Sequence, residues 1–426
     1  ELTKHFNVVK KELRETNELL KSSLPFNGRI TVNKLAVMSD LQSQIKKNEA
    51  ILIYHTKGEY PFSWIITNDN YVITPLNDSD LNKKIKLVRQ SIDNKIINQE
   101  MSFDYEASEK LYLSLIKPIE FVLENKKRIF VISDGELMTI PLDILPNKSK
   151  FNAEKNNWLI KKYSITNLPN IDLVNQRDLF VKDFNKLTFL GVGDPKLSDK
   201  KVTDQNINEI IAQKDFLKNI FRDSKIADIS KLNQIAELPE TTQELIQISS
   251  YFNTNNVDLL LRDDANESKL KRLQLDKYNI LSFATHTIPR TEENKLSEPG
   301  LLLSLPDKAS YENDGILTAS EITQMTLNAD LVVLSACDTA QNIESNNTIS
   351  GLIDSFIYAG SKAIIASHWP VESNSTVTLM TTTFDNWLGN GLNLDEALQK
   401  AKLDLMTKKE YSHPMYWASF SIYGGL

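Results

Sequence analysis

The sequence predicts an α/β fold with a mainly parallel sheet flanked by helices. From about residue 187 to the end of the chain, short apolar segments typical of buried strands alternate with helix-like segments. Two of the strand-like segments, 280–287 and 331–338, run directly into His286 and Cys337. Because neighbouring parallel strands open at the same edge of a sheet, these two residues are expected to meet in one crevice.

The first segment, residues 1–28, is predicted to be an amphipathic helix that Pro25 and Gly28 end. Its apolar residues recur mostly every three or four positions and form one stripe. They are Leu2, Phe6, Val9, Leu13, Leu20 and Leu24.

The remaining elements follow from apolar alternation, helix-like patterning and turn residues. A polar stretch over 196–237 is expected to be a mobile loop or an insert. Asn393 with Glu396 fits a helix N-cap followed by glutamate at the third position. In order, the pattern predicts strands near 50–55, 62–67 and 71–74, helices near 80–98 and 106–124, and strands at 128–133 and 187–193.

Composition excludes several classes of function. The 426 residues carry a net charge of −7, which argues against nonspecific nucleic-acid binding. A single cysteine rules out an internal disulfide and suits a reducing, cytoplasmic compartment. No run approaches the roughly 18 apolar residues of a membrane span. Neither zinc-ligand spacing nor a glycine-rich phosphate loop is present, so no metal or cofactor is expected.

His286 and Cys337 together suggest a thiol nucleophile and its base. A free thiol has a pKa of about 8.5 and needs a proton acceptor, which an imidazole titrating near neutrality supplies. The spacing is 337 − 286 = 51 residues, and in caspases the histidine precedes the cysteine by about 50. Either residue alone is more often structural. The backbone N–H groups of Thr287 and Cys337 are expected to bind the oxyanion.

The chain resembles the CHAT domain family, the caspase-like and separase-like cysteine peptidases of clan CD, over roughly residues 30 to 426. The segments that carry the resemblance occur in the same order as in the family. They are Leu238–Glu244, Tyr278–His286, Pro299–Ser304, Gly315–Ile322, Ala329–Thr339, Gly351–Gly360, Ala363–Val371 and His413–Phe420, with weaker matches at Arg128–Leu142 and Tyr163–Pro169.

The resemblance implies a His286–Cys337 dyad that hydrolyses peptide bonds through an acyl-enzyme thioester. CHAT domains often follow tetratricopeptide-like repeats, so the helix at 1–28 is expected to end such an upstream array. Residues 129–136 also echo 331–338, with Gly135 opposite Cys337. From this we expect a pseudo-caspase-like half over 29–185 and an active protease half over 186–426.

Two departures from the family pattern concern the site. Thr287 stands where the family usually has glycine, and its branched Cβ narrows the approach to the backbone. His368 stands where the family commonly has an apolar residue. It is expected to be either a second titrating group near the cleft or a histidine packed beside Trp369. The S1 pocket is expected to involve Asp338, Trp369 and Glu372; as alternatives, the two carboxylates are solvated or bind backbone amides.

Three functions are compatible with these residues. The favoured one is a cysteine endopeptidase that cleaves a protein partner, in bacterial defence or signalling, and that stays latent until a partner orders the loops at 290–298 and 341–348. The first alternative is a catalytically silent caspase-like scaffold that binds proteins, against which the intact His286 and Cys337 count. The second is a small-molecule amide or thioester hydrolase with the same dyad.

Overall fold

A computed structural model of the chain describes residues 38–98, 102–147, 157–171, 186–198, 226–290, 298–335 and 348–425. The chain divides into two compact units, residues 1–44 and 45–426. In the first unit, the described residues contain the short helix α1 (Met38–Ser43). The predicted helix at 1–28 lies outside the described residues.

The second unit is built on a large sheet. Among the described residues, eleven strands form this sheet in the order β3-β2-β1-β4-β5-β14-β13-β12-β8-β6-β7, and three more form a small sheet in the order β11-β10-β9. The strands are β1 (Glu49–His55), β2 (Phe62–Ile66), β3 (Tyr71–Pro75), β4 (Arg128–Ser133), β5 (Ser164–Asn167), β6 (Phe189–Pro195), β7 (Val257–Arg262), β8 (Ile280–Ala284), β9 (Thr287–Ile288), β10 (Gly300–Leu302), β11 (Ile316–Thr318), β12 (Leu331–Leu334), β13 (Ala363–Ser367) and β14 (Phe420–Gly424).

Helices cover both faces of this sheet in the described part of the chain. They are α2 (Leu81–Asn98), α3 (Tyr105–Leu115), α4 (Glu120–Leu123), α5 (Ile229–Leu232), α6 (Glu240–Ser249), α7 (Glu267–Arg272), α8 (Ala319–Thr323), α9 (Thr348–Ala359), α10 (Ser373–Phe384), α11 (Leu394–Met406) and α12 (Pro414–Trp417).

The predicted fold class is confirmed. Seven of the ten neighbouring strand pairs in the large sheet are parallel, and three are antiparallel. Successive side chains of a strand point to opposite faces, so the central strands contribute to two cores. Helices α6, α10 and α11 pack on one core and α7, α8 and α9 on the other.

One local prediction is wrong, and a second is confirmed in position but not in its hydrogen bonds. The helix expected over 106–124 is interrupted after Leu115, because Pro118 lacks an N–H and its ring clashes with the preceding turn. Asn393 is the N-cap residue of α11, but its side chain makes no capping bond. Instead, the Asn393 amide donates to the carboxylate of Glu396 at 2.8 Å.

The sheet continues across the domain boundary that the sequence suggested between residues 185 and 186. Strand β5 pairs in parallel with β14. A buried ion pair adds to this connection: Arg128 of β4 donates to Asp395 of α11 at 2.7 Å and to Glu49 of β1 at 2.9 Å. The two predicted halves, 29–185 and 186–426, therefore both contribute strands to the same large sheet.

Helix α6 approaches the sheet closely at two glycines of β6. A Cβ at Gly193 would lie 2.6 Å from Leu245 Cδ1 and 2.9 Å from the carbonyl oxygen of Ala284, and a Cβ at Gly191 would lie 3.2 Å from Leu245 Cδ2. Real Cβ atoms essentially never approach other atoms as closely as the two contacts at Gly193, and the contact at Gly191 is tighter than most, so glycine lets the helix pack closely on the strand. The fit places α6 over β6, the neighbour of the strand β8 that leads to His286.

Candidate active site

The candidate site lies at the edge of the sheet where β6, β7, β8 and β12 end. All four strands are parallel, so their C-terminal ends meet at the same edge, where open α/β sheets place their sites. His286 stands two residues beyond β8. Ser335 directly follows β12 and is the last described residue before Cys337.

His286 is held in one orientation by a backbone carbonyl. The residue is 8% exposed, and its Nε2 lies 2.7 Å from the oxygen of Ala236. A carbonyl can only accept a hydrogen bond, so Nε2 must carry the proton and Nδ1 is left as the acceptor. Burial lowers the pKa of His286, and the Ala236 carbonyl opposes that shift only in part. The imidazole is therefore a neutral base near pH 7.

The backbone after His286 is fixed by the small sheet. The N–H of Leu302 donates to the oxygen of His286 at 2.8 Å, and Thr287 pairs with Leu301 in the next rung. In an antiparallel pair, bonded and non-bonded rungs alternate. The Thr287 N–H consequently points away from β10.

Cys337 and Asp338 lie outside the described residues. What the structure gives is the register that leads to them: Phe283 of β8 pairs with Leu334 of β12. His286 and Cys337 are each three positions beyond that pair, since 286 − 283 = 3 and 337 − 334 = 3.

A buried carboxyl group lies beside the end of β12. Glu244 of α6 is 0% exposed, and the Ser335 hydroxyl faces its side chain. Three atoms here, the two carboxyl oxygens of Glu244 and the Ser335 Oγ, have no partner at normal hydrogen-bond geometry among the described residues. Burial raises the pKa of Glu244 to about 7, although Ser335 opposes the rise.

Trp369, an expected wall of the S1 pocket, packs in the core. Its indole is fully buried, its Nε1 donates to the oxygen of Met415 at 2.8 Å, and the Arg89 guanidinium lies 5.5 Å from the ring. A side chain with no exposed surface cannot line an open pocket in this conformation.

His368 is likewise internal. Its Nε2 lies 2.8 Å from the Ser421 hydroxyl, and burial, followed by the charges of Arg89 and Lys402, holds its pKa well below the usual range. This arrangement fits a packed, neutral histidine rather than a second titrating group in the cleft.

Glu372, the other expected S1 residue in the described part of the chain, caps helix α10. Its carboxylate accepts from the N–H groups of Asn374 at 3.1 Å and Ser375 at 2.7 Å. An aspartate or glutamate at this place satisfies otherwise unpaired amides of the first helical turn. The structure therefore gives the Glu372 carboxylate backbone partners.

A charged group at the same sheet edge escaped sequence reasoning. Arg262, the last residue of β7, contacts Asp194 at 2.9 Å and Glu237 at 2.8 Å through Nη1. Glu237 directly follows Ala236, whose carbonyl binds His286. The sequence did not reveal these contacts because Asp194 and Glu237 belong to no recognisable motif. The bond to His286 is made by a backbone carbonyl, which every residue type possesses.

The described residues lack both a metal-binding cluster and a membrane-spanning helix. No group of three or more histidine, cysteine, aspartate or glutamate side chains there is arranged to hold a metal ion. No helix among them is long and apolar enough to cross a membrane.

Comparison with known proteins gives a family match. The model of the CHAT domain matches residues 105–425, about three quarters of the chain. Tetratricopeptide repeat protein 28 of Mus musculus is 28% identical over 177 residues, which make up 35% of this chain and 7% of that protein. The Homo sapiens protein is 28% identical over 109 residues, 26% of this chain and 4% of that protein. The chain thus matches less than a tenth of the length of these relatives.

Among solved structures, the chain is similar to gingipain R, an Arg-specific cysteine proteinase, at 9% identity and a TM-score of 0.42, over 83% of this chain and 79% of that one. It is also similar to the Saccharomyces cerevisiae separase–securin complex at 9% identity and a TM-score of 0.48, over 90% of this chain and 30% of that one. With TM-scores below 0.5, neither structure specifies a site or an activity for this chain.

Proposed function

We propose that this chain, which belongs to the CHAT domain family, is a cysteine endopeptidase with His286 as general base and Cys337 as nucleophile. The observation that carries the proposal is the pairing of Phe283 with Leu334. In the sequence, His286 and Cys337 each follow this rung of neighbouring parallel strands by three positions. Side chains that leave such strands at matching positions come within reach of each other.

The orientation of His286 suits the role of a base. With Nε2–H donated to Ala236, the Nδ1 atom accepts the proton of the Cys337 thiol. The sulfur then forms a bond to the carbonyl carbon of the substrate, and the carbonyl π electrons move to oxygen. As the tetrahedral intermediate collapses, the C–N bond breaks and the imidazolium gives its proton to the leaving amine. Water, deprotonated by His286, hydrolyses the remaining thioester and regenerates the thiol.

The oxyanion is stabilised by backbone N–H groups of Thr287 and Cys337. Antiparallel alternation turns the Thr287 N–H away from β10, so β10 does not use this donor. Donors that are fixed before the reaction stabilise the developing charge without having to reorganise. A threonine provides the same N–H as the family's usual glycine.

For substrate choice, Asp338 is the S1 candidate that we retain. Trp369 is buried in the core, and the Glu372 carboxylate binds two amides of α10. A carboxylate at position 338 would favour a basic P1 residue, because an ion pair in a partly desolvated pocket is stronger than in water.

The first half of the sheet is proposed to be an inactive counterpart of the protease half. Tyr54 pairs with Ser133 in the parallel strands β1 and β4, so Thr56 and Gly135 lie two positions beyond this rung. Gly135 stands opposite Cys337 in the sequence echo, and the register gives Thr56 the position in this half that corresponds to His286. A Cβ at Gly135, where φ is +62°, would lie 2.8 Å from Thr56 Oγ1, so this position rejects any larger residue, cysteine included.

Regulation by a protein partner or by upstream tetratricopeptide-like repeats is proposed from the family and from the named relatives. The loops expected to respond, 290–298 and 341–348, lie largely outside the described residues. Partner binding that orders such loops is a common way of completing an active site.

The test is cleavage of a diverse peptide library, with the cut sites mapped by mass spectrometry. Wild-type chain, Cys337→Ala and His286→Gln are compared. We expect cleavage by the wild type alone, with a common P1 residue. Equal cleavage by Cys337→Ala would contradict the proposal, and no cleavage by the wild type even in the presence of its binding partner would favour the scaffold function.

A further inference from the structure

Two residues at the proposed site hold an unusual backbone conformation. Among the described residues, Asp194 (φ +45°) and Arg262 (φ +51°) are the non-glycine residues with positive φ. Residues with a Cβ avoid this left-handed region, and arginine has no special tolerance for it. Such strain persists where surrounding contacts over-determine the conformation, which is typical of functional sites.

The two strained residues bind each other. The Nη1 of Arg262 lies 2.9 Å from Asp194 Oδ1 and 2.8 Å from Glu237 Oε2. A bulge between Gly193 and Pro195 leaves Asp194 unpaired in the β6–β7 ladder. One guanidinium nitrogen thus joins the end of β6, the end of β7 and the segment that precedes α6.

Both acids are also fixed by their remaining oxygens. Glu237 Oε1 accepts from the N–H groups of Leu197 at 3.0 Å and Ser198 at 3.3 Å. Asp194 Oδ2 accepts from the Thr242 hydroxyl at 2.9 Å. Burial alone would raise the pKa of Glu237, but Arg262 and the two amides outweigh it and hold that pKa below its usual range. Glu237 is therefore ionised at neutral pH and bound strongly.

The group formed by Arg262, Asp194 and Glu237 adjoins the histidine. Ala236 immediately precedes Glu237, and its carbonyl oxygen lies 2.7 Å from Nε2 of His286. Fixing the Glu237 side chain at three donors leaves the adjacent carbonyl little freedom to turn. We infer that Arg262 is a positioning residue: through Glu237 and Asp194 it fixes the Ala236 carbonyl that sets the tautomer of His286. This inference rests on the proposed function for its catalytic meaning, but not for its geometry.

A plainer role for Arg262 would be to fasten β7, an edge strand of the described sheet, to its neighbour. That role and the inferred one predict different measurements. Loss of a fastening contact lowers stability and leaves the histidine ring as it was. Loss of the inferred contact changes which ring nitrogen of His286 carries the proton, because both tautomers become available when the carbonyl no longer selects one.

The experiment is nitrogen-15 NMR of histidine-labelled protein, with the His286 resonances assigned by their loss in His286→Gln. We expect the wild type to show the Nε2–H tautomer. Arg262→Gln should give a mixture and reduce kcat/KM on a cleaved peptide by roughly tenfold, through kcat, because a displaced base is costly. Arg262→Lys should restore part of the Nε2–H tautomer and part of kcat/KM. Glu237→Gln, like Arg262→Gln, should give a tautomer mixture and a lower kcat/KM.

Asp258→Asn is the matched control. It breaks an ion pair with Lys277, 3.1 Å long, at the opposite end of β7, and should leave the tautomer and kcat unchanged. If folded Arg262→Gln and Glu237→Gln both keep the wild-type tautomer, the inference is overturned. If the tautomer responds but cleavage does not require Cys337, the proposed function fails while the positioning role stands.

Discussion

The Nε2 atom of His286 lies 2.7 Å from the carbonyl oxygen of Ala236, a residue 50 positions earlier in the chain. This contact assigns the proton to Nε2 and leaves Nδ1 as the nitrogen that can accept a proton. It also determines how the site should respond to acid.

Peptide cleavage should persist below pH 6.5 and be lost at lower pH. Only the neutral imidazole accepts a proton, and burial lowers the pKa of His286 from its usual 6.5. Activity therefore falls as pH drops through a value under 6.5. The measurement is the pH profile of kcat/KM for a library-derived peptide. An acid limb centred above 6.5 would show that His286 is not the buried base described.

Replacing Glu244 with glutamine should stabilise the protein increasingly as pH rises. Burial raises the pKa of Glu244 from 4.5 to about 7, so the folded state holds its proton more tightly than the unfolded state. The wild type thus loses stability between those pH values, by up to about 3 kcal/mol, and the neutral glutamine does not.

Urea unfolding of wild type and Glu244→Gln at pH 4.5 and pH 8 measures the effect. At pH 8, the unfolding free energy of Glu244→Gln relative to that of the wild type should be larger than at pH 4.5. The same difference at both pH values would mean that the carboxyl group is solvated in the folded state.

Asp395→Ala should destabilise the protein by about 2–3 kcal/mol, because it leaves buried N–H groups of Arg128 and the Ser164 hydroxyl without their acceptor. Glu49 still compensates the charge of Arg128 in this variant. Arg128 donates to Asp395 at 2.7 and 3.2 Å, and Ser164 donates to the same carboxylate at 2.7 Å. Denaturant unfolding is the measurement. Asp404→Ala is the control on the same helix, since its pair with Lys400 is exposed and should be worth less than about 1 kcal/mol. Equal losses in both variants would refute the assigned role.

Gly193→Ala should cost about 1–3 kcal/mol, because overpacking a tight contact forces side chains and backbone to shift. The added methyl group would meet Leu245 and the Ala284 carbonyl. Gly351→Ala is the matched control within helix α9, where the added Cβ meets Pro299 at 3.1 Å and alanine has the better helix propensity. Thermal unfolding compares the two, and a neutral Gly193→Ala would show that α6 is not closely seated.

The sequence predicted the parts of this molecule that repeat a pattern. Apolar runs located the strands that lead to His286 and Cys337, and helix–strand alternation predicted the parallel sheet. Parallel pairing of β8 with β12 follows from these features. Each depends on side-chain types at regular spacing, which a single sequence displays directly.

What the sequence could not show depends on backbone atoms and on long-range fit. The contact of the Ala236 carbonyl with His286 cannot be predicted from residue type, because every residue has a backbone carbonyl. The positive φ of Arg262 likewise cannot be predicted from its residue type. A tryptophan directly after a strand gives the same sequence pattern whether it lines a pocket or is buried in the core. Trp369 is fully buried. The register between distant segments decides such cases, and it forms only when the chain is folded.

The reactivity of Cys337 tests the central claim most directly. As the single cysteine of the chain, it can be alkylated with iodoacetamide and followed by mass spectrometry from pH 5 to pH 10. The dyad predicts faster alkylation at neutral pH in the wild type than in His286→Gln, whose rate should rise only near the pKa of about 8.5 of an unassisted thiol. Identical pH profiles for the two proteins would contradict the His286–Cys337 dyad.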